Sequence, residues 1–368
     1  MDGSKELSFC ATDLQTRPGG LEKLGNIETL RRQWPQYLLL KSVALAPFLR
    51  YMEETGAPVD QLVVASGLSR ELLSRPDSLV STGKVYGMLH RCRQYYGSEF
   101  WSVEVGRSSS YTEMGAYGAI IERSLTVREF LAKGALLYSN LNNSEKFTLS
   151  VGENSAYLFH EFADSLRQPT VYGVYNGLAL IIGKCREALG PDWCPRKIGV
   201  AHAAPALGGV SHEFAGSPID VFSGRNYIEF ELHDLDACFP QVPGGLGLLS
   251  SLADAELDAM PDSLADIVAD HLGSCLDAAA VSIRETAHQL NISVRSLQRR
   301  LAEEGLTYRG FINELRYQMA VDRLAVDNLP IAELAHELGY TDAANFTRAF
   351  RARSGISPRK YKLKLKTN

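Results

Sequence analysis

The chain lacks the runs and clusters that mark several large functional classes. No apolar stretch approaches the roughly 20 residues needed to cross a bilayer, so a membrane partner is not expected. The opening MDGSKELSFCATDLQTRPGG has no basic segment followed by an apolar one, so an export signal is not expected either. Residues 1–27 read as a disordered lead-in, and the expected location is cytoplasmic. The six cysteines, Cys10, Cys92, Cys185, Cys194, Cys238 and Cys275, form no C-x-x-C pair and match no Cys/His zinc spacing. Reduced thiols and no metal are expected. Gly244-Gly245-Leu246-Gly247 lacks the Lys-Ser/Thr of a phosphate loop, His212-Glu213 has no second histidine four residues on, and no serine sits in a G-x-S-x-G elbow. The chain therefore offers no catalytic constellation and no cofactor motif, and an enzyme is not expected.

What is present is unevenly distributed. The 368 residues exceed what one hydrophobic core usually spans, so two domains are expected. The net charge is −5, but residues 281–368 carry 15 Lys and Arg against 9 Asp and Glu, whereas the rest carries 23 against 34. An acidic body with a basic C-terminal block suggests that only the block meets a polyanion.

That block contains a repeat. IRETAHQL from Ile283 returns as IAELAHEL from Ile331, identical at five of eight positions. Ile283, Ala287 and Leu290 share one helix face, as do Ile331, Ala335 and Leu338. Asn291 and Gly339, both tolerant of left-handed backbone, follow the two helices. Ser293, and Thr341 or Asp342, can cap a second helix in each copy. VRSLQRRLAEEG turns Val294, Leu297 and Leu301 inward; AANFTRAFRARSG turns Phe346 and Phe350 inward, and each segment ends at a glycine, Gly305 or Gly355. Helix, short turn, helix with a small residue at the crossing is the helix-turn-helix pattern. Arg295, Gln298 and Arg299 share the outward face of the first second-helix; Asn345 and Arg348 lie on the other. Arg and Gln pair bidentately with guanine and adenine edges in the major groove, so double-stranded DNA is the expected partner. Between the units, TYRGFINELRYQMAVDRLAV places Phe311, Leu315, Met319 and Leu324 along one stripe, with Thr307 as its cap. Such a rod would hold two recognition helices about 34 Å apart, one turn of duplex.

From about Asp262 to Lys362 the chain resembles the DNA-binding domain of the AraC family of bacterial transcription regulators. The residues that carry the resemblance are Ser293-x-Arg295-x-Leu297-x-Arg299, then Arg316, Ala320 and Leu324, then Ile331-x-x-Leu334-Ala335, Gly339-Tyr340-x-Asp342, Phe346-x-Arg348-x-Phe350 and Gly355-x-Ser357-Pro358-x-x-Tyr361. The departures are Leu301 where the family often has Phe, Leu306-Thr307-Tyr308 where a small residue and Pro are usual, and Ala343-Ala344 where longer polar side chains often sit. Two alanines cannot hydrogen-bond a base edge, so the first unit is expected to do more of the sequence reading. Arg295, Gln298, Arg299, Asn345 and Arg348 are the expected base contacts; Arg300, Arg309, Thr347, Arg359 and Lys360 are the expected phosphate contacts. His288 and His336 occupy one slot in two structural repeats and read as scaffold.

From Gln33 to Phe239 helical stretches surround a small sheet. VALAPFLRYMEETG, PVDQLVVASG, SRELLSRPDS, TGKVYGMLHRCRQYYG, TVREFLAKGALLYSN and PTVYGVYNGLALIIGKCREALG read as helices; RKIGVAHAA and RNYIEFELH read as strands. KFTLSVGENSAYLFHEF reads as a hairpin turning at Gly152-Glu153-Asn154. Histidines His160 and His202 fall on strands and read as structural; Tyr95, Tyr96, Tyr111 and Tyr117 read as partial core. The region resembles the sensor domain of the AraC-family regulators similar to the ornithine-utilisation regulator. Gly56-Ala57-Pro58, Ser66-Gly67-Leu68, Ser124-Leu125-Thr126-Val127-Arg128-Glu129, Trp193-Cys194-Pro195, Ala201-His202-Ala203-Ala204-Pro205 and Phe214-Ala215-Gly216-Ser217-Pro218-Ile219 carry it. This implies a small-molecule effector, an amino acid or other metabolite, with no pocket residues assigned. The expected organisation is a lead-in over 1–27, an α+β sensor and dimerisation domain over 28–239, a linker over 240–261, and an all-α DNA-binding domain with two helix-turn-helix units over 262–368. The expected function is a homodimeric transcription activator that works with RNA polymerase. The rival expectation, an enzyme-like N-terminal part with an attached DNA-binding domain, needs convergent titratable groups that the sequence does not display.

Overall fold

The computed structural model describes residues 37–166, 169–201, 214, 216–240, 260, 264–275, 282–326 and 329–367. The lead-in 1–27, nearly all of the linker 240–261 and the strand histidine His202 lie outside the described residues.

A short antiparallel pair opens the described chain: β1 (Leu39–Lys41) and β2 (Leu79–Ser81), with Leu39 opposite Ser81. Between them run α1 (Ala46–Glu54), α2 (Val59–Ala65) and α3 (Arg70–Leu73), and α4 (Thr82–Tyr96) leaves β2 without a loop. Then come α5 (Trp101–Ser108), α6 (Gly115–Glu122) and α7 (Val127–Leu137). Strands β3 (Glu145–Val151) and β4 (Ser155–Phe162) form the expected hairpin, Phe147 opposite His160 and Leu149 opposite Leu158. After α8 (Val171–Leu189) the chain adds β5 (Lys197–Val200), β6 (Ile219–Val221) and β7 (Asn226–Glu231). The sheet order is β3-β4-β7-β5-β6, antiparallel except where β5 meets β6.

The first core lies between this sheet and α5 to α8, and the second among α1 to α4. Helices α5 and α8 cross closely because Gly106 presents no side chain. A Cβ there would sit 2.5 Å from the Asn176 carbonyl oxygen and 2.8 Å from the Ala179 Cβ.

Among the described residues the C-terminal part holds α9 (Leu264–Cys275), α10 (Ile283–Gln289), α11 (Val294–Glu303), α12 (Tyr308–Val326), α13 (Ile331–Glu337), α14 (Ala343–Ser354) and α15 (Pro358–Thr367), and no strand. The architecture is the α+β domain followed by an all-α domain that the patterns imply. The elements missing from the sequence reading have local reasons. Strands β1, β2 and β6 have three residues each, too few for alternation to register. The KLKLK of α15 alternates at strand period, but Pro358 opens a helix there and it continues through.

The connecting helix α12 packs its expected stripe against the two cores, but only Leu324 of that stripe is buried. Its most buried residues are Ile312, Ala320 and Leu324, while Phe311, Leu315 and Met319 are half-buried. The helix serves two cores, Ile312 in the first unit and Ala320 with Leu324 in the second, so no single stripe serves both. The first unit's core does not close within the C-terminal part. Tyr37, Leu39 and Leu79, from the β1–β2 pair, pack with Leu264, Ile267, Leu297 and Leu301. The second unit's core consists only of residues from α12 onward.

Candidate DNA interface and effector cavity

Both helix-turn-helix units form by the local chemistry anticipated for them. Asn291 (φ 56°) and Gly339 (φ 73°) adopt the left-handed backbone that ends α10 and α13. Ser293 Oγ accepts from the Ser296 amide at 3.0 Å, and Asp342 Oδ1 accepts from the Asn345 amide at 2.6 Å, so each recognition helix starts on a side-chain cap. Ala287 and Ala335, at 1% and 0% exposure, fill the crossings, where any larger side chain would force the helices apart. Leu297, Leu301, Phe346 and Phe350 are buried, each contributing about 1.5–3 kcal/mol by leaving water.

The outward faces differ. On α11, Arg295, Gln298 and Arg299 are all exposed, and Arg299 reaches Glu303 only at 3.9 Å, a loose exposed pair. On α14, Arg348 is exposed, but Arg348 Nη2 donates to Asn345 Oδ1. The Asn345 Nδ2 donates to Thr341 Oγ1 at 2.9 Å and Asp342 Oδ2 at 2.8 Å. Asn345 is thus engaged in holding the helix start and Arg348. Arg309, Arg359 and Lys360 are exposed near helix N-termini, and Thr347 is half-buried.

Arg300 stands apart from the other expected phosphate contacts. It is half-buried, its guanidinium 5.0 Å from the Tyr37 ring centroid, with Nε lacking a hydrogen-bond partner. One position past Arg299 on a helix turns a side chain by about 100°, away from the exposed face and onto the N-terminal domain. Burial raises the Tyr37 pKa while Arg300 opposes that rise. His288 also meets the N-terminal domain. The Lys84 ammonium donates to the Gly67 carbonyl at 2.7 Å and lies 3.3 Å from His288 Nδ1. Burial pushes the Lys84 pKa down to about 8, with Glu285 opposing. His336, in the matching slot of the second unit, is exposed as His288 is, but it lies in the unit whose core takes no residue from the described N-terminal domain, whereas His288 meets Lys84. Two histidines that look equivalent in sequence therefore have different surroundings.

The N-terminal domain encloses a cavity between α4, α7, α8 and the β3–β4 hairpin, with about 80 Å³ open to the centres of water-sized molecules. That is several times the roughly 10–15 Å³ that one water needs. Its walls are mainly Leu, Phe and Tyr side chains; Gly134 and Gly177 add no side chain along two of the helices, and the space beside Gly173 is filled by the Tyr86 hydroxyl. At one end sits Glu145, buried at 5% exposure. Its Oε1 accepts from Tyr86 Oη at 2.6 Å and Asn142 Nδ2 at 2.7 Å; its Oε2 accepts from Tyr138 Oη at 3.2 Å and lies 2.9 Å from His160 Nε2. Burial, with the Glu145 charge next in size, raises the Tyr86 and Tyr138 pKa values well above the ordinary phenol range, so both remain neutral donors. Phe147 stacks on His160 with centroids 4.1 Å apart.

The sequence assigned none of this cavity. His160 is a satisfied structural histidine as expected, and it also lines the cavity. Tyr111 and Tyr117 are buried, as core tyrosines should be, yet they too form cavity wall. Asn176 was detectable: it is a lone carboxamide within the apolar VYGVYNGLALII, flanked by the glycines that leave space beside it. Glu145 gave no signal, because a glutamate at a strand start usually faces water.

Comparison with known proteins follows the same division of the chain. Residues 286–364 match the family described as a helix-turn-helix domain, and residues 56–238 match the N-terminal arabinose-binding domain of AraC transcription regulators. An uncharacterized HTH-type transcriptional regulator of Mycobacterium tuberculosis is 38% identical over 77 residues, 21% of this chain and 22% of that protein. The ornithine utilization regulator of Pseudomonas aeruginosa is 38% identical over 80 residues, 22% of this chain and 24% of that protein. These matches thus span less than a quarter of the relatives' own length. The HTH-type transcriptional regulator VirS of Mycobacterium tuberculosis is similar at 23% identity over 332 residues, covering 88% of this chain and 96% of that protein.

Proposed function

Since the chain belongs to the AraC family of transcription regulators, we propose that it binds promoter DNA sequence-specifically, under control of a small-molecule effector, and that it acts as an activator. The supporting observation is the pair of capped helix-turn-helix units, with Arg295, Gln298 and Arg299 exposed on one recognition helix and Arg348 on the other. Helices α11 and α14 enter successive major-groove segments. Arg295, Gln298 and Arg299 read base edges, with Arg348 and Asn345 in a secondary role, since Asn345 is already occupied in the free protein. Arg309, Thr347, Arg359 and Lys360 meet phosphates and set register. Arg300 positions the first unit on the sensor and does not contact phosphate. The DNA-bound form is a homodimer on paired half-sites, where effective concentration multiplies affinity, and RNA polymerase is the partner through which activation proceeds.

Effector control has a physical route in α4. Val85, Tyr86 and Leu89 line the cavity, while Lys84 on the same helix meets His288 of the first helix-turn-helix unit. A ligand that moves this helix changes the seat of the first recognition helix, which is the differential contact that any population shift requires.

Selection of duplexes from a random library by the full chain tests the reading. The wild type enriches a site with two blocks spaced by about one helical turn. The Arg295→Ala/Gln298→Ala/Arg299→Ala variant, with an unchanged melting midpoint, enriches nothing in the first block. Unchanged enrichment by that variant would remove the assignment.

A further inference from the structure

The cavity already described has a chemistry that selects a class of ligand. Among the described residues, no lysine or arginine lines it. Its ionisable groups other than tyrosine are Glu145 and His160, and these are bonded to each other. An anionic ligand would be placed beside a buried carboxylate without a compensating cation. A cationic ligand would find Glu145 with both oxygens already engaged by Tyr86, Asn142, Tyr138 and His160. A polyol would leave most of its hydroxyls unpaired against Leu, Phe and Ile walls.

One group on the wall is itself unpaired. Asn176, 9% exposed, has a buried Nδ2 with no hydrogen-bond partner. A buried amide donor is normally satisfied; Asn176 lines the cavity, so a turn of its side chain toward an occupant's acceptor oxygen would satisfy this one. Gly177, the next residue on the same helix, adds no side chain to that wall, whereas the space beside Gly173 is taken by the Tyr86 hydroxyl. The walls are rich in rings, among them Phe147, Tyr138, Tyr111 and Phe130, which pack well on a flat apolar molecule.

We propose that the effector is a compact, uncharged, mostly apolar molecule, a ring bearing one carbonyl or hydroxyl oxygen, which accepts a hydrogen bond from Asn176 while Glu145 and His160 remain a closed structural pair. Free amino acids, sugars and carboxylates are excluded from this cavity. The inference rests on the effector-controlled reading above, but its test does not require DNA.

Acetophenone, ethylbenzene, benzoate, benzylamine, L-ornithine and L-arabinose serve as probes of the full chain, by calorimetry and melting midpoint. Acetophenone binds and raises the midpoint. Ethylbenzene, lacking the acceptor, binds roughly tenfold more weakly, the ratio expected for one hydrogen bond. The four charged or polyhydroxylated probes leave the midpoint unchanged. Asn176→Leu, which keeps the volume and removes the donor, brings the two uncharged probes to within about twofold of each other. Gly134→Leu, which fills the cavity from α7, abolishes binding of both. If either variant fails to fold, intermolecular NOEs from the acetophenone methyl to Phe147 and Tyr138 in the wild type locate the probe. Binding of benzoate, L-ornithine or L-arabinose that Gly134→Leu abolishes would overturn the ligand class, as would failure of both uncharged probes to bind at millimolar concentration. Binding of acetophenone with no change in DNA affinity would instead leave the ligand class standing and count against effector control.

Discussion

The two helix-turn-helix units share one motif and differ in what they pack against. Each has a small residue at its crossing, a left-handed residue after its first helix and a side-chain cap on its second. The second unit closes its own core around Phe346 and Phe350. The first borrows Tyr37, Leu39 and Leu79 from the N-terminal domain, and its Arg300 and His288 both contact that domain. A unit that is self-contained reports nothing about the rest of the chain. A unit whose core is shared moves when its neighbour moves. Packing against the N-terminal domain thus distinguishes the first unit from the second.

The sharpest way to break this comparison is at the recognition faces. Arg295→Ala/Gln298→Ala/Arg299→Ala is expected to weaken specific DNA binding about 10²–10⁴-fold, at roughly 1–3 kcal/mol per lost base pairing, measured by fluorescence anisotropy on the selected site. A loss no greater than that from Arg348→Ala would erase the asymmetry. Next come the cores. Leu297→Ala and Phe346→Ala each cost about 2–5 kcal/mol, but only Leu297→Ala should also raise hydrogen exchange at Leu39 and Leu79, because only that core is shared. Exchange confined to the helices in both variants would mean that the first unit is as independent as the second. A smaller effect is expected from Arg348→Ala alone, about 1–3 kcal/mol of DNA affinity, with sequence preference relaxed only in the block read by the second unit.

The smallest effect concerns Lys84, whose pKa burial lowers to about 8. A lysine with a depressed folded-state pKa loses its proton in the native state first, so the unfolded chain holds more protons above that value. Stability then rises with pH between about 8 and the ordinary lysine value. The wild type should gain about 1–2 kcal/mol over Lys84→Met between roughly pH 8 and pH 9.5, read as the difference between their denaturation midpoints. A flat difference would show that Lys84 is not buried against the first unit in solution.

Much of the C-terminal domain was legible because its signals are local. Asn291 and Gly339 announce left-handed turns, Ser293 and Asp342 announce caps, and a period near 3.6 separates Leu297 from Arg299. The limits of that reading are equally specific. Phe311, Leu315 and Met319 pack at the edges of the two cores as half-buried residues, while Ile312, which the expected stripe omits, is buried, because one helix serves two cores. Arg300 looked like one more basic residue on a DNA-facing helix, and no local pattern names Tyr37 as its neighbour. In the N-terminal domain six helical stretches and the hairpin followed from periodicity, but α5, α6 and the cavity did not, and Tyr86, Glu145 and Asn176 are brought together from three separate elements.

The sequence alone determined the caps and turns of the two helix-turn-helix units, that one motif occurs twice, and that Arg295, Gln298, Arg299 and Arg348 face outward, because caps, turns and amphipathic faces depend on residues a few positions apart. The tertiary structure alone decided that one unit is seated on the sensor and that an apolar cavity with an unpaired amide lies within it. Those features depend on residues such as Lys84 and His288, which the chain separates by 204 positions and only packing brings within 3.3 Å.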